Sequence, residues 1–220
     1  ELVRDPSVKG IWCVPTYSNP DGYCYSDETV RRLAALTPAA DNFKILWDNA
    51  YMVHFLGDAP EVTLNIMDAC RAAGHEELPI LFCSTSKITF PGAGVSALAA
   101  GKRTFAALTS GFFPMTIGFD KVNQLRHVRF LRDRAHILEH MKKHRAIIAP
   151  KFALMERLLA QGLSGCGEIA RWTHPTGGYF ISLYTLPGCA RRTVALCKEA
   201  GVVLTGAGAA FPYGKDPQDS

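Results

Sequence analysis

The chain has 220 residues, of which 48% are apolar, enough to bury one large core or two smaller ones. Its net charge of +4 arises mostly between Lys102 and Lys151 rather than in a basic tail, which argues for an enzyme of anionic substrates and against a nucleic-acid partner. No apolar run approaches the ~20 residues that span a bilayer, so no membrane partner is expected; the seven scattered cysteines form no Cys-x-x-Cys pair and read as reduced core thiols of a cytoplasmic protein.

Short apolar runs alternate with longer amphipathic ones, the pattern of an α/β protein with a mostly parallel sheet. Residues 10–14 predict a buried strand, stopped by Pro15 and the turn Asn19-Pro20-Asp21-Gly22. A helix is expected from Ser26 as N-cap, with Asp27 and Glu28 in its first turn and Val30, Leu33, Ala34 and Leu36 facing inward. A second strand over 43–47 runs into Asp48, and a second helix over about 61–73 closes at Gly74. A third strand over 80–83 runs into Ser84-Thr85-Ser86-Lys87 and the glycine loop at 92–94. Beyond Asp120 long helices are expected, broken near Pro150 and again at Gly162. A strand over 178–184, a helix over about 190–200 and an apolar run at 202–204 make a smaller α+β unit. These patterns divide the chain at about residue 145, into 1–145 and 146–220. Glu1 in place of a starting Met, and the open loop before Ser220, read as the cut ends of a segment from a longer enzyme.

Each of the first three strands ends in polar residues, and in open α/β sheets ligands bind at that carboxyl edge. Asp48 there could keep a heterocyclic nitrogen protonated, Asn19 and Tyr51 could donate to a phenolic oxygen, and Ser84 and Ser86 could meet a phosphate. Lys87, desolvated in such a site, could carry a carbonyl compound as a Schiff base and then move a proton. These are the needs of pyridoxal 5′-phosphate, whose ring serves as an electron sink.

Asn19-Pro20-Asp21-Gly22, Asp48-Asn49-Ala50-Tyr51 and Ser84-Thr85-Ser86-Lys87, in that order, resemble the signatures of the fold-type I, class I pyridoxal-phosphate-dependent aminotransferases. The stretches 10–22, 45–54, 84–98, 120–130 and 201–216 are similar to the aspartate-aminotransferase-like subfamily often labelled MocR-type. The resemblance implies the fold-type I architecture, a large cofactor domain plus a smaller C-terminal one. It implies Lys87 as the Schiff-base lysine, Asp48 on the pyridine nitrogen, Asn19 and Tyr51 on the phenolic oxygen, and Ser84 and Ser86 at the phosphate. It further implies a homodimer exchanging an amino group between an amino acid, best read as L-aspartate, and a 2-oxo acid, best read as 2-oxoglutarate. Two other readings stay open: an effector-sensing module of a transcription regulator that binds the same cofactor, and a lyase or decarboxylase.

One departure stands out. Relatives follow the lysine with Pro-Gly-x-Arg, whose arginine binds phosphate, whereas this chain has Pro91-Gly92-Ala93-Gly94. Lys102 and Arg103 are substitutes to weigh against a role as solvated helix charges. The resemblance also places an upstream phosphate loop and stacking aromatic before Glu1, and the arginine for the substrate carboxylate after Ser220. His136, Glu139, His140 and His144 match a zinc-protease spacing, yet the surrounding arginines and lysines favour a solvated helix face, and no metal is expected.

Overall fold

Ser26 starts the first long helix by accepting a hydrogen bond from the Thr29 amide at 3.2 Å, and the inward residues Val30 and Ala34 are fully buried. The computed structural model describes the backbone of residues 1–220 and every side chain except that of Phe113. In chain order the elements are β1 (Gly10–Cys13), α1 (Asp27–Ala34), β2 (Lys44–Asp48), α2 (Ile66–Ala72), β3 (Pro79–Ser84) and β4 (Ser96–Ala100). Then come α3 (Lys102–Ser110), α4 (Phe112–Thr116), α5 (Lys121–Leu131), α6 (Arg134–Leu163), β5 (Ala170–Trp172), β6 (Leu183–Thr185) and α7 (Ala190–Glu199).

The sheet runs β1-β2-β3-β4, with parallel pairing of β1 to β2 and of β2 to β3, and antiparallel pairing of β3 to β4. This is the mostly parallel α/β sheet that the alternating pattern predicts. Helices α1 and α2 pack together against it. The core beneath them holds Cys13, Val30, Ala34, Phe43, Ile45, Trp47, Ile66 and Cys70. Burying each of Val30, Ile45 and Ile66 contributes about 1.5–3 kcal/mol. A second cluster, Tyr17, Tyr51, Phe55, Ile88, Leu131 and Met141, lies past the carboxyl edge and ties that edge to α5 and α6. The smaller unit is the antiparallel pair β5-β6 with α7. No helix among the described residues is long and apolar enough to cross a membrane.

Several expectations need correction. The first strand is not buried: Ile11 is 39% and Trp12 60% exposed, because β1 is an edge strand and only Cys13 turns fully into the core. The second helix begins at Ile66 rather than near Glu61. Its side-chain cap is Asn65, and residues 61–63 are drawn to the turn before them by the bonds of the Glu61 amide to the Tyr17 hydroxyl, 2.8 Å, and of Thr63 to Thr16, 2.7 Å. Pro150 does not break α6, which runs unbroken through it. The exposed Ala146 can give water the carbonyl that the missing proline N–H leaves free. The helix is also held on both sides of the proline, by buried Met141 and by Glu156, which accepts from Trp172 Nε1 at 3.0 Å. Residue 145 therefore lies inside one helix. The strand expected over 178–184 forms only from Leu183, since the Gly178 amide bonds the His54 carbonyl at 2.7 Å instead of a sheet neighbour. Residues 202–204 form no strand and are exposed. Strand β4 was not foreseen, because Ser-Ala-Leu-Ala-Ala has little strand propensity and is held by antiparallel pairing with residues 80–84 of β3.

Candidate functional site

Parallel register puts the ends of β1, β2 and β3 side by side, so the three polar segments that follow them meet at one edge. Tyr51 sits at the centre, buried. The Lys87 ammonium lies 4.9 Å from its ring centroid. Burial pushes the Tyr51 hydroxyl above its ordinary value, the Asn19 amide pulls it down, and the charge of Asp48 pushes it up again. Asn19, Asp48, Tyr51 and Lys87, which are up to 68 positions apart in sequence, thus act on one another in space.

The remaining two predicted residues are paired. Ser84 Oγ lies 2.8 Å from Ser86 Oγ and accepts from the Ser86 amide at 3.1 Å, which holds both hydroxyls on one turn. The glycine loop folds back over that turn. The Thr85 amide donates to Val95 O at 2.9 Å, the Val95 amide donates to Thr85 Oγ1 at 2.8 Å, and Asn123 Nδ2 donates to Ala93 O at 3.0 Å. A Cβ on Gly94 would fall against Ser86 Oγ and within 2.8 Å of the Ser86 nitrogen, so the departure from arginine at this position is built into the loop.

Lys102 and Arg103 cannot replace that arginine. The register places Ala100 beside Ile80 and Ser96 beside Ser84, so α3 starts four residues back along the sheet, about 13 Å from the serine turn. There Arg103 is exposed and faces Glu77 at 3.7 Å. Glu77 accepts from the Arg103 and Thr104 amides at 3.0 and 2.8 Å, which hold its carboxyl down at about 2.

Lys87 itself is exposed, whereas a desolvated lysine was expected. Asp48 is half-buried, and among the described residues no hydrogen bond or ion pair engages its carboxylate. An unengaged carboxylate, two hydroxyls on one turn, and a loop with no room for a side chain at Gly94 fit a cofactor with a basic ring nitrogen and a phosphate.

Two residues near Lys87 were not singled out from sequence. Tyr179 donates to Lys87 O at 3.4 Å and packs edge-on to Tyr51, with ring centroids 6.1 Å apart. His54 places Nε2 3.1 Å from the same oxygen. A histidine three residues after Tyr51 was the only available signal for the second, and nothing local marked the first. The zinc-like spacing has another use: His140 Nε2 meets Ile88 O at 2.9 Å, His144 contacts His140 at 3.2 Å, and His136 turns away to Asp133 at 2.9 Å.

Residues 1–220 match the family model described as aspartate amino-transferase. The chain is 43% identical to the aspartate aminotransferase of Corynebacterium glutamicum over 219 residues, covering 100% of this chain and 50% of that protein. It is 51% identical over 218 residues to a Mycolicibacterium smegmatis protein named as a candidate aminotransferase, covering 99% of this chain and 51% of that one. The solved structure of a candidate aminotransferase from Corynebacterium diphtheriae superposes with a TM-score of 0.95 at 46% identity, over 99% of this chain and 54% of that one. The fold is therefore that of the pyridoxal-phosphate-dependent transferases of fold type I. The chain belongs to the aspartate aminotransferase family, and it spans about half the length of the curated relatives it matches.

Proposed function

We propose that this chain is the lysine-bearing part of a transaminase that exchanges an amino group between L-aspartate and 2-oxoglutarate with pyridoxal 5′-phosphate. The observation that carries the reading is the Lys87 ammonium set 4.9 Å from the ring centroid of Tyr51, whose hydroxyl also feels Asn19 and Asp48. The name of the relative that is 43% identical supports aspartate as donor. Regulators similar to this chain are 22% identical over 80% of it, which favours the enzyme over the effector sensor. Placement in the MocR-type subfamily is part of the same proposal.

When bound, the cofactor supplies an electron sink that makes the substrate Cα–H acidic. Asp48 would hold the ring nitrogen, Asn19 and Tyr51 the phenolic oxygen, and Ser84, Ser86 and the backbone of the glycine loop the phosphate. Lys87 Nζ would anchor the cofactor and, when free, would take the proton from the substrate Cα as a general base and give it up again as a general acid. Residues 1–145 are read as part of the cofactor domain and 146–220 as part of the smaller one, sharing α6. The exposed apolar residues Ile117, Val122, Val128 and Phe130 on and before α5 suit a homodimer interface. A cytoplasmic location goes with this reading.

The test is a visible spectrum of the full-length protein with pyridoxal phosphate, with and without L-aspartate, repeated for Lys87→Ala. A lysine-dependent band that shifts on adding the amino acid is expected. A wild-type spectrum identical to that of Lys87→Ala refutes the assignment.

A further inference from the structure

The backbone that follows the lysine side chain is fastened by histidines from three separate segments. His54, in the loop after β2, reaches Lys87 O at 3.1 Å; His140, on α6, reaches Ile88 O at 2.9 Å; His127, on α5, meets the Thr89 hydroxyl at 2.9 Å. Carbonyl oxygens only accept, so His54 and His140 both donate from Nε2.

Of the three, His54 also touches the aromatic wall of the site. It is 5% exposed, with its ring edge-on to Tyr51 at 5.9 Å and to Tyr179 at 5.1 Å. We propose that His54 is a positioning residue for Lys87: its neutral imidazole donates from Nε2 to the lysine carbonyl while its ring spaces Tyr51 from Tyr179, so that Lys87 Nζ and the Tyr51 hydroxyl keep one relative placement. The proposal rests on the roles given to Lys87 and Tyr51 above.

The surroundings enforce neutrality. His54 Nδ1 is buried and makes no hydrogen bond among the described residues. The Tyr51 carbonyl already takes the backbone N–H of His54 at 2.8 Å. A proton on Nδ1 would place a charge facing Lys87 from the serine turn, His144 and Arg145 from α6, and only the phenols Tyr51 and Tyr179 from the remaining sides. Arg145 is itself turned toward Leu56 O and Asp58, at 2.9 Å each. Burial pushes the His54 imidazole below its ordinary 6.5 and outweighs the pull of the Lys87 and Tyr51 carbonyls, while the charges of His144 and Lys87 add to the burial effect. Above pH 6.5 both folded and unfolded chains hold this ring neutral. As the pH falls below 6.5 the unfolded chain takes the proton first, so the stability gained by burying a neutral His54 falls until the lower folded value is reached.

The experiment compares wild type, His54→Phe, His54→Met and His54→Gln in the full-length protein. The first readout is hydrogen exchange at pH 7.5 in the absence of cofactor. The Ile88 and Thr89 amides, which both donate to Thr85 O, at 2.9 and 2.8 Å, report opening of the lysine turn. Losing the hydrogen bond from His54 should speed their exchange about tenfold in the Phe and Met variants, with β1 to β3 unchanged. His54→Gln, whose side-chain amide can still donate, should return close to wild type. The Met variant decides if Phe also loosens the sheet. Equal exchange in all four proteins overturns the proposal, and so does a Gln variant as fast as Met, which would reduce the ring to a filler of space. The second readout adds pyridoxal phosphate: the pH at which the lysine-dependent band titrates should move in Phe and Met and return in Gln. Absence of that band in wild type refutes the functional reading alone, because the exchange measurement needs no cofactor.

Discussion

Gly94→Ala is a small substitution that should have a large effect. The backbone at 94 lies outside the left-handed region, so alanine meets no torsional penalty, and the whole effect comes from what the new methyl touches. It would lie against Ser86 Oγ, 2.8 Å from Ser86 N and 2.9 Å from Ser86 Cα. Two of these three atoms are backbone, so no rotamer change relieves the contact. Moving the loop to an ordinary separation of about 3.5 Å stretches the Thr85–Val95 pairing, whose bonds are 2.9 and 2.8 Å, and the Asn123 contact to Ala93. Overpacking of this kind costs about 1–3 kcal/mol and one weakened hydrogen bond adds about 1 kcal/mol, so a loss of about 2–4 kcal/mol is expected. Urea denaturation of the full-length protein, read as a midpoint shift at constant slope, measures it. Gly92→Ala is the control. That position has φ +78° and no atom within 4 Å of its Cβ, so it loses only about 1 kcal/mol to backbone strain. If Gly94→Ala falls within about 0.5 kcal/mol of wild type, or if Gly94→Arg binds pyridoxal phosphate more tightly than wild type, the loop does not work as described.

Two further outcomes concern the frame of the site. Tyr184 donates to Asp21 at 2.7 Å with the Arg171 guanidinium 3.9 Å from its ring centroid, which moors the turn carrying Asn19 to the β5-β6 pair. Tyr184→Phe should lose about 1 kcal/mol of stability and speed hydrogen exchange over residues 18–23; unchanged exchange there would show that the mooring lies elsewhere. Glu77, held at about 2 by the Arg103 and Thr104 amides against an ordinary 4.5, contributes stability that is complete above pH 4.5 and is lost as the pH falls through 2. Glu77→Gln should therefore flatten the pH dependence of the urea midpoint between pH 5 and 2, and an equally steep dependence in the variant would assign that window to other carboxylates.

The three motifs of the proposed site were legible because each is local. Asn19, Asp48 with Tyr51, and Ser84 to Lys87 each follow a short apolar strand, and parallel strands deliver their ends to one edge whatever the details of packing. Elements that depend on distant partners were misread. Strand β4 is held by its pairing with β3, and the start of α2 was set by Tyr17 and Thr16 drawing residues 61–63 away. Pro150 reads as a helix breaker in one dimension, yet α6 passes through it with neighbours holding it on either side.

The sequence by itself determined which side chains could do the chemistry and in what order they meet the sheet edge, since strand periodicity and turn residues are properties of a few adjacent positions. Only the tertiary structure decided that Gly94 is pressed on Ser86, that Lys102 and Arg103 stand at the wrong end of β3, and that His54 and His140 grip the consecutive carbonyls of Lys87 and Ile88. Each of these is a through-space contact or separation between residues distant along the chain, or a loop closed tightly on itself, and packing alone brings such partners together or holds them apart.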